Sequence, residues 1–178
     1  MSGVVRLFRL DSVAWARVSQ LGTMASAAAT AVGAFAFFAF DRFGFQAFIA
    51  PRATARILLV GFYGWIGLSL AAWLIARRVF ASVPPLSEVV RIYGYAHLPL
   101  LILAFVVQLI AVVVQVLGPS QFVAALVFVA WMPASLVAAT RYLFGASLRD
   151  ALLIVGVPYL VWAGLIGLYL GRQVGHLL

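Results

Sequence analysis

The chain has 178 residues, 66% of them hydrophobic and 9% charged, with a mean hydropathy of +1.16. A soluble domain carries roughly 25% charged residues to keep its surface wet, so this composition excludes an ordinary soluble enzyme and places the surface in lipid. The net charge of +8 does not point to nucleic acid: all twelve basic residues are arginines standing at the ends of long apolar runs, as bilayer anchors do. With neither lysine nor cysteine, the chain also lacks Schiff-base chemistry, disulfides and thiolate ligands.

Residues 1–17 place Val4, Leu7, Phe8 and Trp15 on one helical face and Arg6, Arg9 and Arg17 on the other, with Asp11 interrupting the apolar side. That pattern suits a cytoplasmic segment lying in the membrane interface, and it suits an ordinary positive flank equally well. A hydrocarbon core of about 30 Å takes about 20 apolar helical residues to cross, because lipid offers no partner for exposed backbone amides. Five stretches meet that length, at about 18–40, 57–76, 92–117, 121–140 and 151–171. The expected fold is therefore all-α, a polytopic bundle of five transmembrane helices over 18–171, followed by a short tail at 172–178.

The first stretch is the least apolar, being rich in Ala, Ser and Thr around Ser26 to Thr30, and its length argues against a cleaved signal peptide. Ser82 to Glu88, with Pro84-Pro85, reads as an extended turn leading into the third stretch, where Glu88 and Arg91 are spaced for an i,i+3 pair. Gly118-Pro119-Ser120 leaves room only for a tight hairpin, and Ser147 to Asp150 forms a capping box ahead of the last stretch. Eight arginines fall on the N-terminal side (6, 9, 17, 77, 78, 91, 141, 149) and four on the other (42, 52, 56, 172). Positive flanks resist translocation, so the N-terminus is expected in the cytoplasm and the C-terminus outside.

No catalytic, cofactor-binding or metal-binding constellation is expected. Asp11, Asp41, Glu88 and Asp150 all lie outside or at the ends of the apolar stretches, leaving no carboxylate for a mid-membrane relay. His97 and His176 fall at opposite ends of the bundle on this topology, too far apart to hold one haem. His97 alone could ligate a pigment or metal, although a lone interfacial histidine is more often packed and hydrogen-bonded. Neither a Gly-x-Ser-x-Gly elbow, nor HExxH, nor a Walker loop is present.

Two patterns remain that suit contact. His97, Gln108 and Gln115 fall within about 20° of one another on a helical wheel, with Tyr93 nearby, and such a polar stripe should face protein. Ala163, Gly167, Gly171 and Gly175 recur every four residues, a ladder that permits close helix approach within the chain or between copies. Gly61, Gly64 and Gly67 offer a looser version, and Pro99, Pro133 and Pro158 are candidate kinks.

The run Ser87 to Pro99, with Tyr93-Gly94-Tyr95-Ala96 and then Pro99, resembles the YGYA-x-x-P element of Yip1-domain membrane proteins. The stretch from Trp131 through Thr140 to Ala151 is similar to the family's loop into its last span. Leu10-Asp11-Ser12 resembles the short start of the compact bacterial members, with Ser12 where they carry proline. The resemblance implies a five-helix bundle with a cytoplasmic N-terminus, located for a bacterial member in the inner membrane. Eukaryotic relatives contact Rab-type GTPases through cytoplasmic regions; this chain lacks the long N-terminal cytoplasmic region those relatives carry, so the resemblance does not carry GTPase binding over to it. The reading that results is a non-enzymatic membrane protein acting by contact, as a scaffold or accessory subunit or in membrane organisation, with the bilayer and other membrane proteins or itself as partners. The alternative is a carrier for an apolar or lipidic substrate, using a cavity near the three prolines and His97.

Overall fold

The structure is a computed structural model that describes residues 12–43, 51–102, 105–106 and 130–175. Those residues are helical throughout apart from short connections, with no strand among them. The elements are α1 (Ser12–Leu21), α2 (Met24–Phe43), α3 (Pro51–Val79), α4 (Leu86–Tyr95), α5 (Met132–Phe144) and α6 (Leu148–Gly175). At 1.5 Å per residue, the 29 residues of α3 and the 28 of α6 each exceed the roughly 30 Å of a hydrocarbon core.

Two of the described helices are long and apolar enough to cross a membrane, over Leu58–Val79 and Leu148–Leu165. Only 33% and 22% of these windows are buried inside the protein. The remainder forms outward stripes of large apolar side chains, including Leu59, Phe62, Leu70 and Leu74 on α3 and Leu153, Val157, Leu160 and Leu165 on α6. Contiguous apolar surface on this scale is stable against lipid and not against water.

The expected first stretch, 18–40, is divided. Residues Gly22 and Thr23 separate α1 from α2, and a reciprocal cap starts α2: the Ser26 amide donates to Thr23 Oγ1 at 3.1 Å, and the Thr23 amide to Ser26 Oγ at 3.2 Å. Trp15, expected on an interfacial face, is buried instead, because α1 packs against α4 and α5. The low hydropathy of the Ala-rich segment has a packing reason: Ala27, Ala31 and Ala34 form a fully buried small-residue face on α2, which lies against α3 and α4.

The turns behave as their residues dictate. Asp150 donates its amide to Ser147 Oγ at 3.2 Å, and that hydroxyl donates to Asp150 Oδ2 at 2.7 Å, so the capping box at α6 forms. Gly145 closes α5 with φ of 61°, a left-handed position that favours glycine. Pro133 sits in the first turn of α5, where its missing N–H costs nothing, and Pro158 lies inside the continuous α6. Two indoles of α3 hold the segment that follows it, as Trp73 Nε1 donates to Pro84 O in the linker at 3.1 Å and Trp65 Nε1 to Val90 O in α4 at 2.8 Å. These bonds run α3 antiparallel to α4. The stacked pair Phe80 and Phe144 then brings the ends of α3 and α5 together.

Candidate functional site

The most densely connected part of the described molecule surrounds α4, which touches α1, α2, α3 and α5. On its outer turn, Ser19 Oγ donates to Glu88 Oε1 at 2.9 Å, and Arg91 Nη1 donates to the Gly22 carbonyl at 3.2 Å. Glu88 and Arg91 themselves form the expected i,i+3 pair, at 3.9 Å. One turn farther on, the Tyr95 hydroxyl meets the Ser26 hydroxyl. All three links join residues 69 apart in sequence. A constant offset means that the α1–α2 corner and α4 run parallel and in step.

Gly94 lies between these links. A Cβ placed on it would stand 2.8 Å from both the Cβ and the carbonyl oxygen of Ala27. Only glycine permits that backbone approach. Gly22 serves the same fit from the other side, since a Cβ there would meet Val18 O at 2.5 Å and the Tyr95 ring at 2.6 Å.

Tyr93 turns to the opposite neighbour. Its hydroxyl is 2.6 Å from Thr140 Oγ1 on α5, deep in the protein. Thr140 already donates its own proton to Leu136 O at 2.7 Å, so Tyr93 is the donor between them. At Ala96 and His97 the helix tightens into a turn before resuming at Leu98, ahead of the buried Pro99.

His97 is fully buried, and its Nδ1 lies 2.8 Å from the Tyr93 carbonyl. Donation from that nitrogen leaves Nε2 as the acceptor, which finds no hydrogen-bond partner in the described structure. Its ring neighbour is Phe35 of α2, at 5.5 Å between centroids, and Phe35 in turn meets Trp162 of α6 edge-on at 6.0 Å. Phe35 and Trp162 rest on the bare backbone of Gly61 and Gly64 in α3. The looser glycine pattern is thus a seat for aromatic rings, while Gly67 faces open space.

The expected site residues separate into three sets. Tyr93, Gly94, Tyr95, His97 and Pro99 are brought together in this hub. Gln108 and Gln115, the rest of the polar stripe, lie outside the described residues. Ala163, Gly167, Gly171 and Gly175 all fall on α6, and Ala163 packs against the core beside Trp162. Among the described residues no group of three or more His, Asp or Glu could hold a metal. Ser19, Gly22, Ser26, Ala27 and Phe35 hold the other half of the hub and carry no local signal of that role in the sequence.

A family model described as the Yip1 domain matches residues 7–171, nearly the whole chain. The chain belongs to the Yip1 family. No curated protein and no solved structure gives a match. Membership and the two apolar spanning helices together make it a membrane protein. Within the Yip1 domain, the tyrosine motif at 93–99 fastens α4 to α2 through Tyr95 and to α5 through Tyr93.

Proposed function

We propose that this Yip1-family chain is a non-enzymatic, multi-pass membrane protein that works by contact, as a scaffold or accessory subunit of a membrane complex or in membrane organisation. It crosses the bilayer five times across 18–171, with residues 1–17 cytoplasmic and the tail from 172 outside, and it is of the compact type found in bacterial inner membranes.

The observation that carries this reading is how the motif's polar groups are used. Glu88, Arg91, Tyr93, Tyr95 and His97 all bond to neighbouring backbone or side chains within the chain. What the helices present outward is apolar: the exposed stripes of α3 and α6. Surface of this kind acts by packing against other helices or lipid. The parallel run of α2 and α4, with α3 antiparallel between them, supports a topology in which the first and third spans point the same way. The arginines at 17, 77, 78, 91, 141 and 149 fall near the end of the bundle marked by the Ser19–Glu88 and Phe80–Phe144 contacts, which supports a cytoplasmic assignment for that end. GTPase contact forms no part of the reading.

The test is extraction of the tagged full-length protein from its own membranes in mild detergent, followed by native mass determination and identification of co-purifying chains. Stoichiometric association with other membrane subunits, or with a second copy, is the expected result. A strictly monomeric species recovering no partner overturns the proposal.

A further inference from the structure

Between α5 and the first turns of α6 lies an open groove with a volume of about 620 Å³. Its α5 wall is built from Pro133, Ala134, Val137 and Ala138, its α6 wall includes Leu152, and Arg141 lines the end nearest the α5–α6 corner. The alanines at 134 and 138 are one helical turn apart, and their short side chains create the depression. The groove is not the cavity expected near the three prolines and His97, since it touches Pro133 alone of those residues.

Its length and charge indicate what fits. The lining on the α5 side runs from Ala130, two residues ahead of the helix, to Arg141, a rise of about 16 Å at 1.5 Å per residue. That is about half the roughly 30 Å hydrocarbon thickness, or one leaflet. Among the described lining residues, one end is a guanidinium and the others are apolar. Among the described residues no carboxylate pairs with Arg141, and the nearest acid in sequence, Asp150, is bonded to Ser147. An amphiphile with one negative headgroup and a long apolar tail matches both features. A soluble anion would leave the apolar wall empty, an uncharged lipid would leave the guanidinium without a counter-charge, and a zwitterionic phospholipid brings its own cation to compete with Arg141 for the phosphate.

We propose that this groove seats one acyl chain of an anionic phospholipid, with the lipid phosphate on Arg141. The seat lies at the arginine-bearing end of the bundle, so the lipid comes from the leaflet on that side. The planar fork of arginine suits two phosphate oxygens at once. The inference needs membrane residence only and does not rest on the contact reading.

The experiment uses the full-length protein in mixed micelles containing either palmitoyl-oleoyl phosphatidylglycerol or phosphatidylcholine with the same chains, weighed intact by native mass spectrometry. The wild-type protein should retain one phosphatidylglycerol in preference to phosphatidylcholine. Arg141→Gln should lower that retention by roughly tenfold or more, as loss of a charge-assisted bond does. Arg78→Gln, at an exposed arginine away from the groove, should change it by at most about fivefold, the effect of one ordinary surface charge near anionic lipid. Ala134→Phe fills the groove and should release the bound lipid.

Equal retention of the two lipids, or equal losses in Arg141→Gln and Arg78→Gln, overturns the proposal. So does undiminished lipid in a folded Ala134→Phe protein, or a dimer that Ala134→Phe disperses, which would make a second copy the occupant. Should Ala134→Phe fail to fold, the comparison of the two arginine variants decides the matter by itself.

Discussion

Tyr93 on α4 donates its hydroxyl proton to Thr140 on α5, across 2.6 Å and inside the protein. The bond joins the tyrosine motif to a helix 47 residues farther along the chain. Tyr93→Phe removes the donor and leaves Thr140 still bonded to Leu136. A cost of about 0.6–1.5 kcal/mol is expected, the range for one internal hydrogen bond in membrane and soluble proteins. Thr140→Val should cost a similar amount, and the double variant less than the sum of the two. Thermal unfolding in detergent of all four proteins measures that coupling; strict additivity would mean that the hydroxyls do not interact.

Gly94 and Gly67 separate close approach from helix propensity. Gly94→Ala drives a methyl group into the Ala27 backbone and should destabilise by about 1–3 kcal/mol, because α2 must move away from α4. Gly67→Ala meets nothing within 4 Å and gains helix propensity, so its unfolding temperature should be unchanged or higher. Equal losses at both positions would remove close approach as the reason for Gly94.

His97 tests whether the hub needs an imidazole or only its volume. Replacement by Leu removes an unpartnered Nε2 along with one bond to the Tyr93 carbonyl, and it keeps an apolar body against Phe35. Stability should stay within about 1 kcal/mol of wild type, as when a polar group is replaced by an apolar one of similar shape. His97→Asp puts an acid in the same place with no cation to meet it, and should cost several kcal/mol or abolish folded yield. Fluorescence-detected size-exclusion profiles of the two variants check the contrast.

Arg91 holds the α1–α2 corner through the Gly22 carbonyl. Arg91→Gln should expose that corner, accelerating protease cleavage near Leu21 severalfold while barely affecting the α3–α4 linker, which Trp73 holds independently through Pro84. Cleavage at wild-type rate would show that packing of Trp15 suffices to dock α1.

The parts of this fold legible in the sequence are those whose cause is local. The Ser147–Asp150 capping box and the Glu88–Arg91 pair each join residues three positions apart, and both form as their spacing implies. The helices α3 and α6 follow from apolar length. The division of the first stretch at Gly22-Thr23 was not legible, because the cap that starts α2 uses Thr23 and Ser26 amid residues that continue a helix equally well.

The sequence alone determined the class of this protein and its two longest apolar helices, and by resemblance it pointed to the tyrosine motif at 93–99, because hydropathy and a short motif are properties of neighbouring residues. Tertiary structure decided what the motif does. Ser19, Gly22 and Ser26 reach Glu88, Arg91 and Tyr95 across the same interval of 69 residues, and Phe35 reaches His97 across 62 positions of chain. Such pairings depend on how α2, α3 and α4 pack side by side. Packing is set by the shapes of facing surfaces, which no single helix specifies.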